Sequence, residues 1–225
     1  MTNTLHRYGD LRSLQNDFIV FAIPCRGYND TDCVPKLKEF LRMAVKHKPI
    51  NLGDGSKGGM FRPSRSLNPL AHWFRKAEPK MEEVIENVAN PTTVAAVFDN
   101  RDAVEAFLKE LREVDLGMSI NISASIENAQ RCCHDINLPR HSVEYSLGFI
   151  GKTDRLADRQ VLELSTMCGH GMISFSFARK MIDWVREGRR TTDQACAYMS
   201  RFCSCGIYNP TRAREILEDA RMRNS

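Results

Sequence analysis

Thr93-Val94-Ala95-Ala96-Val97-Phe98-Asp99-Asn100 sets an apolar run between a threonine and a pair of turn-forming residues. A short run rich in β-branched and aromatic side chains, bounded by such residues, reads as a buried strand. Asp99-Asn100 then supplies an N-cap for a helix whose core face is Val104, Phe107, Leu108 and Leu111, with Gly117 closing it. From Met118 to Ile126 the pattern changes period: Ile120, Ile122, Ala124 and Ile126 alternate with Asn and Ser, as a half-buried strand requires. Strand, helix and strand in close succession make an α/β unit, and the rest of the chain is read around it.

Toward the N-terminus, Phe18-Ile-Val-Phe-Ala-Ile23 is a second buried strand, stopped by Pro24 and a polar loop from Arg26 to Asp32. Pro35 opens an amphipathic helix through Leu37, Phe40, Leu41, Ala44 and Val45, which ends before Pro49. The stretch Asn51 to Arg65 is too rich in glycine to predict a regular element and is read as a long loop. Leu70 to Val88 is read as helical with a break near Pro79, before Asn90-Pro91 punctuates the chain. Toward the C-terminus, a short helix at 127 to 135 and a last strand from Val143 to Ile150 complete the set. The expected fold class is α+β, an antiparallel or mixed sheet with helices on one face and a split β-α-β-like order.

After Gly151-Lys-Thr153 the sequence carries helix signals, with one strand-like run at Val161 to Leu164. Ser174 caps a helix with core face Phe177, Met181, Ile182 and Val185, ended by Gly188. Thr191-Thr-Asp-Gln194 has the spacing of a capping box, and Asn209-Pro210 pairs a cap with the residue favoured at the first helical position. The boundaries expected are an N-terminal tail at 1–16, an α+β domain at 17–152 and a helical Cys/His region at 153–225.

The chain has 225 residues, 42% hydrophobic and 27% charged, which excludes disorder, collagen and coiled coil as its main character. No apolar run approaches the roughly 20 residues of a membrane span, and the first ten residues lack a secretory pattern, so a cytoplasmic protein without a membrane partner is expected. A net charge of +4 from 32 basic and 28 acidic residues is too mild to point to nucleic acid, which is not expected as a partner; a homo-oligomer is compatible with the sequence. Eight cysteines in a chain of this length and compartment read as buried apolar residues and ligands, not as a disulfide framework.

Two glycine-flanked segments single themselves out: Thr166-Met-Cys168-Gly-His170-Gly171 and Phe202-Cys203-Ser-Cys205-Gly206. Thiol and imidazole donors in tight turns that lead into helix N-termini suit a transition metal, because glycine lets the backbone bend around the ion and its amides bond sulfur. Cys168, Cys203, Cys205 and His170 are therefore the candidate metal ligands, with zinc or an iron–sulfur cluster as the cofactor. The spacing of one residue between donors departs from the usual zinc and ferredoxin patterns. If the three cysteines hold a cluster and His170 does not, an open metal position is left as a Lewis acid and His170 is the candidate catalytic acid or base. The expected activity is that of a metal-dependent lyase: elimination, hydration or desulfuration of a small anionic substrate held by Lys57, Arg62 and Arg65. The competing expectation is a small-molecule-binding or regulatory α+β module with a structural zinc. Cys25 is read as a buried loop residue, at least one of Cys132 and Cys133 as core, and Cys196 as core.

Overall fold

The computed structural model describes residues 7–57 and 80–222. Four strands form one antiparallel sheet: β1 (Phe18–Ile23), β2 (Asn51–Asp54), β3 (Val94–Phe98) and β4 (Ser119–Ser123), in the order β2-β3-β1-β4. Phe18 pairs with Phe98, Ile19 with Ser123 and Asn51 with Val97. Helix α1 (Cys33–Lys46) connects β1 to β2, and α3 (Arg101–Val114) connects β3 to β4, with α2 (Met81–Glu86) before β3. Strands β1 and β2 thus run parallel with β3 inserted between them, which is the split β-α-β arrangement. The expected α+β class, an antiparallel or mixed sheet followed by a helical C-terminal region, holds, and the sheet is antiparallel.

Alternation along the two central strands decides which helices go where. Phe18, Val20 and Ala22 of β1 and Val94, Ala96 and Phe98 of β3 face the core built with α1, α3 and α4 (Ile126–Asp135). The helices of the α+β part gather on this one face. Ile19, Phe21, Ala95 and Val97 face the other way, into a second core made with α5 (Arg159–Thr166), α6 (Phe175–Arg186), α7 (Thr192–Phe202) and α8 (Pro210–Met222). The C-terminal helices therefore cover the sheet's opposite face, and central strands buried on both sides read as continuous apolar runs for that reason.

The helix starts follow the caps in the sequence. Asn100 accepts from the amide of Ala103, Ser174 from Phe177, and Thr191 and Gln194 form the full reciprocal capping box. Asn209 Oδ1 accepts from the amide of Arg212 at 2.9 Å, opening α8.

Three expected elements differ. Val143 to Ile150 is exposed and forms no strand, although its apolar residues alternate: it pairs with none of the four strands. Val161 to Leu164 lies inside α5, where Val161, Leu162 and Leu164 are buried; a short apolar run carries no period of its own, and helical neighbours decide it. Asn51 to Asp54, read as loop, is strand β2, followed by a single 3-10 turn at Gly55–Lys57. Its glycine is demanded by packing, since a Cβ on Gly53 would stand 2.7 Å from Ile207 Cγ2 and 3.1 Å from the Cys205 carbonyl. Of the helix expected at Leu70 to Val88, Met81–Glu86 is formed and positions before 80 lie outside the described residues, as do Arg62 and Arg65.

Candidate functional site

The two cysteine segments meet where α5, α6, α7 and α8 close over the edge of β2. Cys168 lies in the turn between α5 and α6, while Cys203 and Cys205 lie in the turn between α7 and α8. All three are 1–3% exposed. Cys203 Sγ stands 3.9 Å from Cys205 Sγ, and Cys168 packs in the same buried cluster, where the proximity of Cys203 raises its thiol. Loops separated by 35 positions in sequence thus bring three thiols into one buried cluster, with Cys203 and Cys205 in contact.

The backbone explains how they are held. Gly206 has φ +81, and a Cβ there would lie 2.2 Å from the Leu52 carbonyl oxygen. Glycine at both 53 and 206 lets the cysteine turn lie directly against strand β2, so that the Asp54 amide donates to the Cys205 carbonyl at 2.9 Å and Asn51 Nδ2 donates to the Tyr208 carbonyl at 3.1 Å. On the other loop, Ser165 Oγ donates to the Ile173 carbonyl and pins the turn that carries Cys168.

A buried charge network, which the sequence did not disclose, ties the two turns together. Asp17, completely buried, takes the guanidinium of Arg7 on Oδ1 and that of Arg212 at 2.9 Å on Oδ2, with Asn209 Nδ2 donating at 2.9 Å. Arg7 also donates to the Met167 and Ile207 carbonyls, beside Cys168 on one loop and beyond Cys205 on the other. Arg212 donates further to the Tyr8 carbonyl at 2.6 Å and to Ser13 Oγ. Burial raises the Asp17 carboxyl, but the charges of Arg7 and Arg212 more than offset it and hold the group below its ordinary value. Of these residues the sequence marks only Asn209, as a helix cap before Pro210; nothing in it singles out Arg7, Asp17 or Arg212.

Cys168 is raised by the proximity of Cys203 and by burial, while the amides of Met172 and His170 at its sulfur pull the other way. Cys203 is lowered by the proximity of Cys168, yet its contact with Cys205 and its burial leave it raised on balance. Tyr208 is fully buried among them, its hydroxyl donating to Met199 Sδ at 3.4 Å, and desolvation pushes its phenol well up. A metal would reverse this balance by displacing protons, since the thiolate is the ligand.

Two sulfurs bound to one tetrahedral ion at about 2.3 Å stand roughly 3.8 Å apart, so the Cys203–Cys205 separation suits a single ion more closely than a cluster with its larger core. His170 is exposed and brings its backbone amide, not its ring, to Cys168. Among the described residues no group of three or more His, Cys, Asp or Glu side chains is assembled ready to hold a metal ion. Lys57 is exposed three residues beyond Asp54. Cys196 is buried in α7, as expected, and burial raises it to about 12. Cys132 and Cys133 are both core, whereas Cys25, expected to be buried, is exposed. Two cavities open among the described residues: one of about 550 Å³ between the segment Arg7–Leu14 and β4, and one of about 480 Å³ between β2, α2 and α7, with Cys196 in its wall. No helix among the described residues is long and apolar enough to cross a membrane. Comparison of the chain with protein-family models, with curated proteins and with solved structures finds no match.

Proposed function

We propose that the chain is a metal-binding protein in which Cys168, Cys203 and Cys205, as thiolates, hold a soft ion. The observation that carries this is the burial of three thiols from two separate loops in one cluster, with Cys203 and Cys205 3.9 Å apart. Its support is chemical: sulfur donors select zinc or an iron–sulfur cluster over hard cations, glycine-flanked turns leave amides for the sulfurs, and the fourth position falls to a group outside the trio.

Two uses of such a site follow. In the first, the open position acts as a Lewis acid in an elimination, hydration or desulfuration of a small anionic substrate, with His170 as acid or base and Lys57, Arg62 and Arg65 as its anion-holding groups. In the second, the ion is a structural zinc that staples the α5–α6 and α7–α8 turns to the sheet of a ligand-binding module. Burial of all three thiols and exposure of the His170 ring favour the second use. The test is anaerobic purification with metal and acid-labile sulfide analysis, repeated on Cys168→Ser, Cys203→Ser and His170→Ala. About one zinc per chain, lost in both serine variants together with thermal stability and retained in His170→Ala, is the expected result. Iron with sulfide, and turnover lost in His170→Ala while the metal stays, would establish the Lewis-acid use instead. A metal-free chain whose stability is unmoved by added zinc would overturn both.

A further inference from the structure

The C-terminal turn of α6 gathers positive charge onto one spot of the surface. Gly188, at φ +69, reverses the chain so that the amides of Arg189 and Arg190 both donate to the Trp184 carbonyl, at 2.9 and 3.1 Å. This folds both guanidinium groups back over the Trp184 ring, 5.2 and 5.3 Å from its centroid, while Lys180, one turn earlier on α6, lies 5.3 Å above the same ring. Arg190 reaches on to the Tyr198 ring of α7 at 6.0 Å, and Arg201 lies 5.7 Å from that ring. Energetically significant cation–ring contacts occur roughly once in 70–80 residues, so five within the span from Lys180 to Arg201 mark a built cluster.

The cluster is short of negative charge. Arg189 is paired with Glu187 at 3.3 Å, both exposed, and Asp183 is a second exposed carboxylate on α6. Lys180, Arg190 and Arg201 have no carboxylate partner among the described residues, and Arg201 Nε is a buried donor with no hydrogen-bond acceptor. Four cations against two carboxylates, around two half-buried rings, form a surface complementary to phosphates that follow one another along a chain. Arginine and aromatic side chains set side by side are the groups on which nucleobases stack while neighbouring cations meet the phosphates. A lipid surface fits less well, since the patch presents no exposed apolar side chain to insert.

We propose that the Trp184–Tyr198 face, through Lys180, Arg189, Arg190 and Arg201, binds single-stranded nucleic acid. The mild net charge of the sequence concealed this, because the four cations are separated along the chain and are brought together by the α6–α7 turn. The interaction is independent of any metal at the three thiols.

The test is fluorescence anisotropy of a labelled single-stranded 12-mer, titrated with the full chain between 50 and 200 mM salt. Binding that weakens with salt at a logarithmic slope of about 2–3 is expected, one counterion step of about 0.7 for each phosphate met by a cation. Lys180→Ala/Arg190→Ala should lower affinity at 50 mM salt at least tenfold and reduce the slope by about 1.4. Arg26→Ala, which removes an exposed cation in the loop after β1, should leave both unchanged. Absence of binding at 50 mM salt, an equal loss in Arg26→Ala, an unaltered double variant that retains its helical circular dichroism, or capture by phosphatidylserine vesicles without binding to the oligonucleotide would each overturn the proposal.

Discussion

Gly206 and Gly171 offer a controlled pair for the claim that the cysteine turn is seated on strand β2. Both have left-handed φ, +81 and +67, and both follow a candidate ligand segment. An alanine at Gly171 meets nothing within 4 Å, so Gly171→Ala costs only the left-handed conformation, about 1–2 kcal/mol. An alanine at Gly206 meets the Leu52 carbonyl oxygen at 2.2 Å and its carbon at 3.2 Å, both backbone atoms in a hydrogen-bonded strand. Ordinary contact needs more than 3.4 Å, so the turn must lift from β2 by about 1 Å, which breaks the Asp54 to Cys205 hydrogen bond worth about 1 kcal/mol and unpacks Ile207. Gly206→Ala should therefore lose about 3–5 kcal/mol in urea denaturation of the reduced, metal-free chain, at least 1.5 kcal/mol more than Gly171→Ala (the margin is about one broken hydrogen bond plus lost packing). Because Cys205 moves with the turn, zinc affinity should fall in Gly206→Ala as well. Equal losses in the two variants would refute the seating, since strain alone would then account for both.

Asp17→Asn should destabilise by about 3–5 kcal/mol, because it leaves Arg7 and Arg212 buried without their carboxylate. Since the Asp17 carboxyl lies below its ordinary value of 3.8, its contribution is complete above that pH and is lost as pH falls further; acid denaturation of the variant should be correspondingly flatter below pH 3.8. At the alkaline end, burial raises Cys196 and Cys132 from 9.0 to about 12, so the folded metal-free chain keeps protons that the unfolded chain releases. Stability should decline above pH 9 by about 1.4 kcal/mol per pH unit for each thiol, and Cys196→Ala, compared with the parent by urea titration from pH 8 to 11, should remove one such increment. Thr191→Ala, which deletes the hydroxyl of the capping box at α7, should cost about 1 kcal/mol by the same assay.

Much of the fold could be read from local chemistry. Phe18 to Ile23 and Val94 to Phe98 are strands because β-branched and aromatic runs between turn residues have few other uses, and caps at Asn100, Ser174, Thr191 and Asn209 mark helix starts through their own hydrogen bonds. Strand β2 was hidden because its glycine, normally a sign of loop, answers to a neighbour more than 150 positions away, Ile207. The alternation at Val143 to Ile150 misleads for the converse reason: a period of two is necessary for a half-buried strand but supplies neither a partner strand nor a core to face, and this segment stays exposed and unpaired with the sheet.

The site divides along the same line. Cys168 and Cys203 are read together from their shared setting, thiols with glycine close by in turns that lead into helix N-termini, and both are buried in the core between the sheet and α5 to α8. Donor type is a local property. Exposure is not: His170 sits two residues from Cys168 in the same turn, yet with Gly169 between them and Gly171 at φ +67 after it, the ring points to solvent while the amide faces the sulfur. The groups that hold the turns in place were still less legible, because Arg7, Asp17 and Arg212 are charged residues whose burial makes sense only as a set. An unpaired guanidinium at any of these depths would cost several kcal/mol, so each residue is admissible only because the other two are present, and no window of sequence contains all three. The two cysteine turns and the buried charges beside them thus form one assembly, in which the N-terminal segment, through Arg7, reaches both turns by their backbone carbonyls.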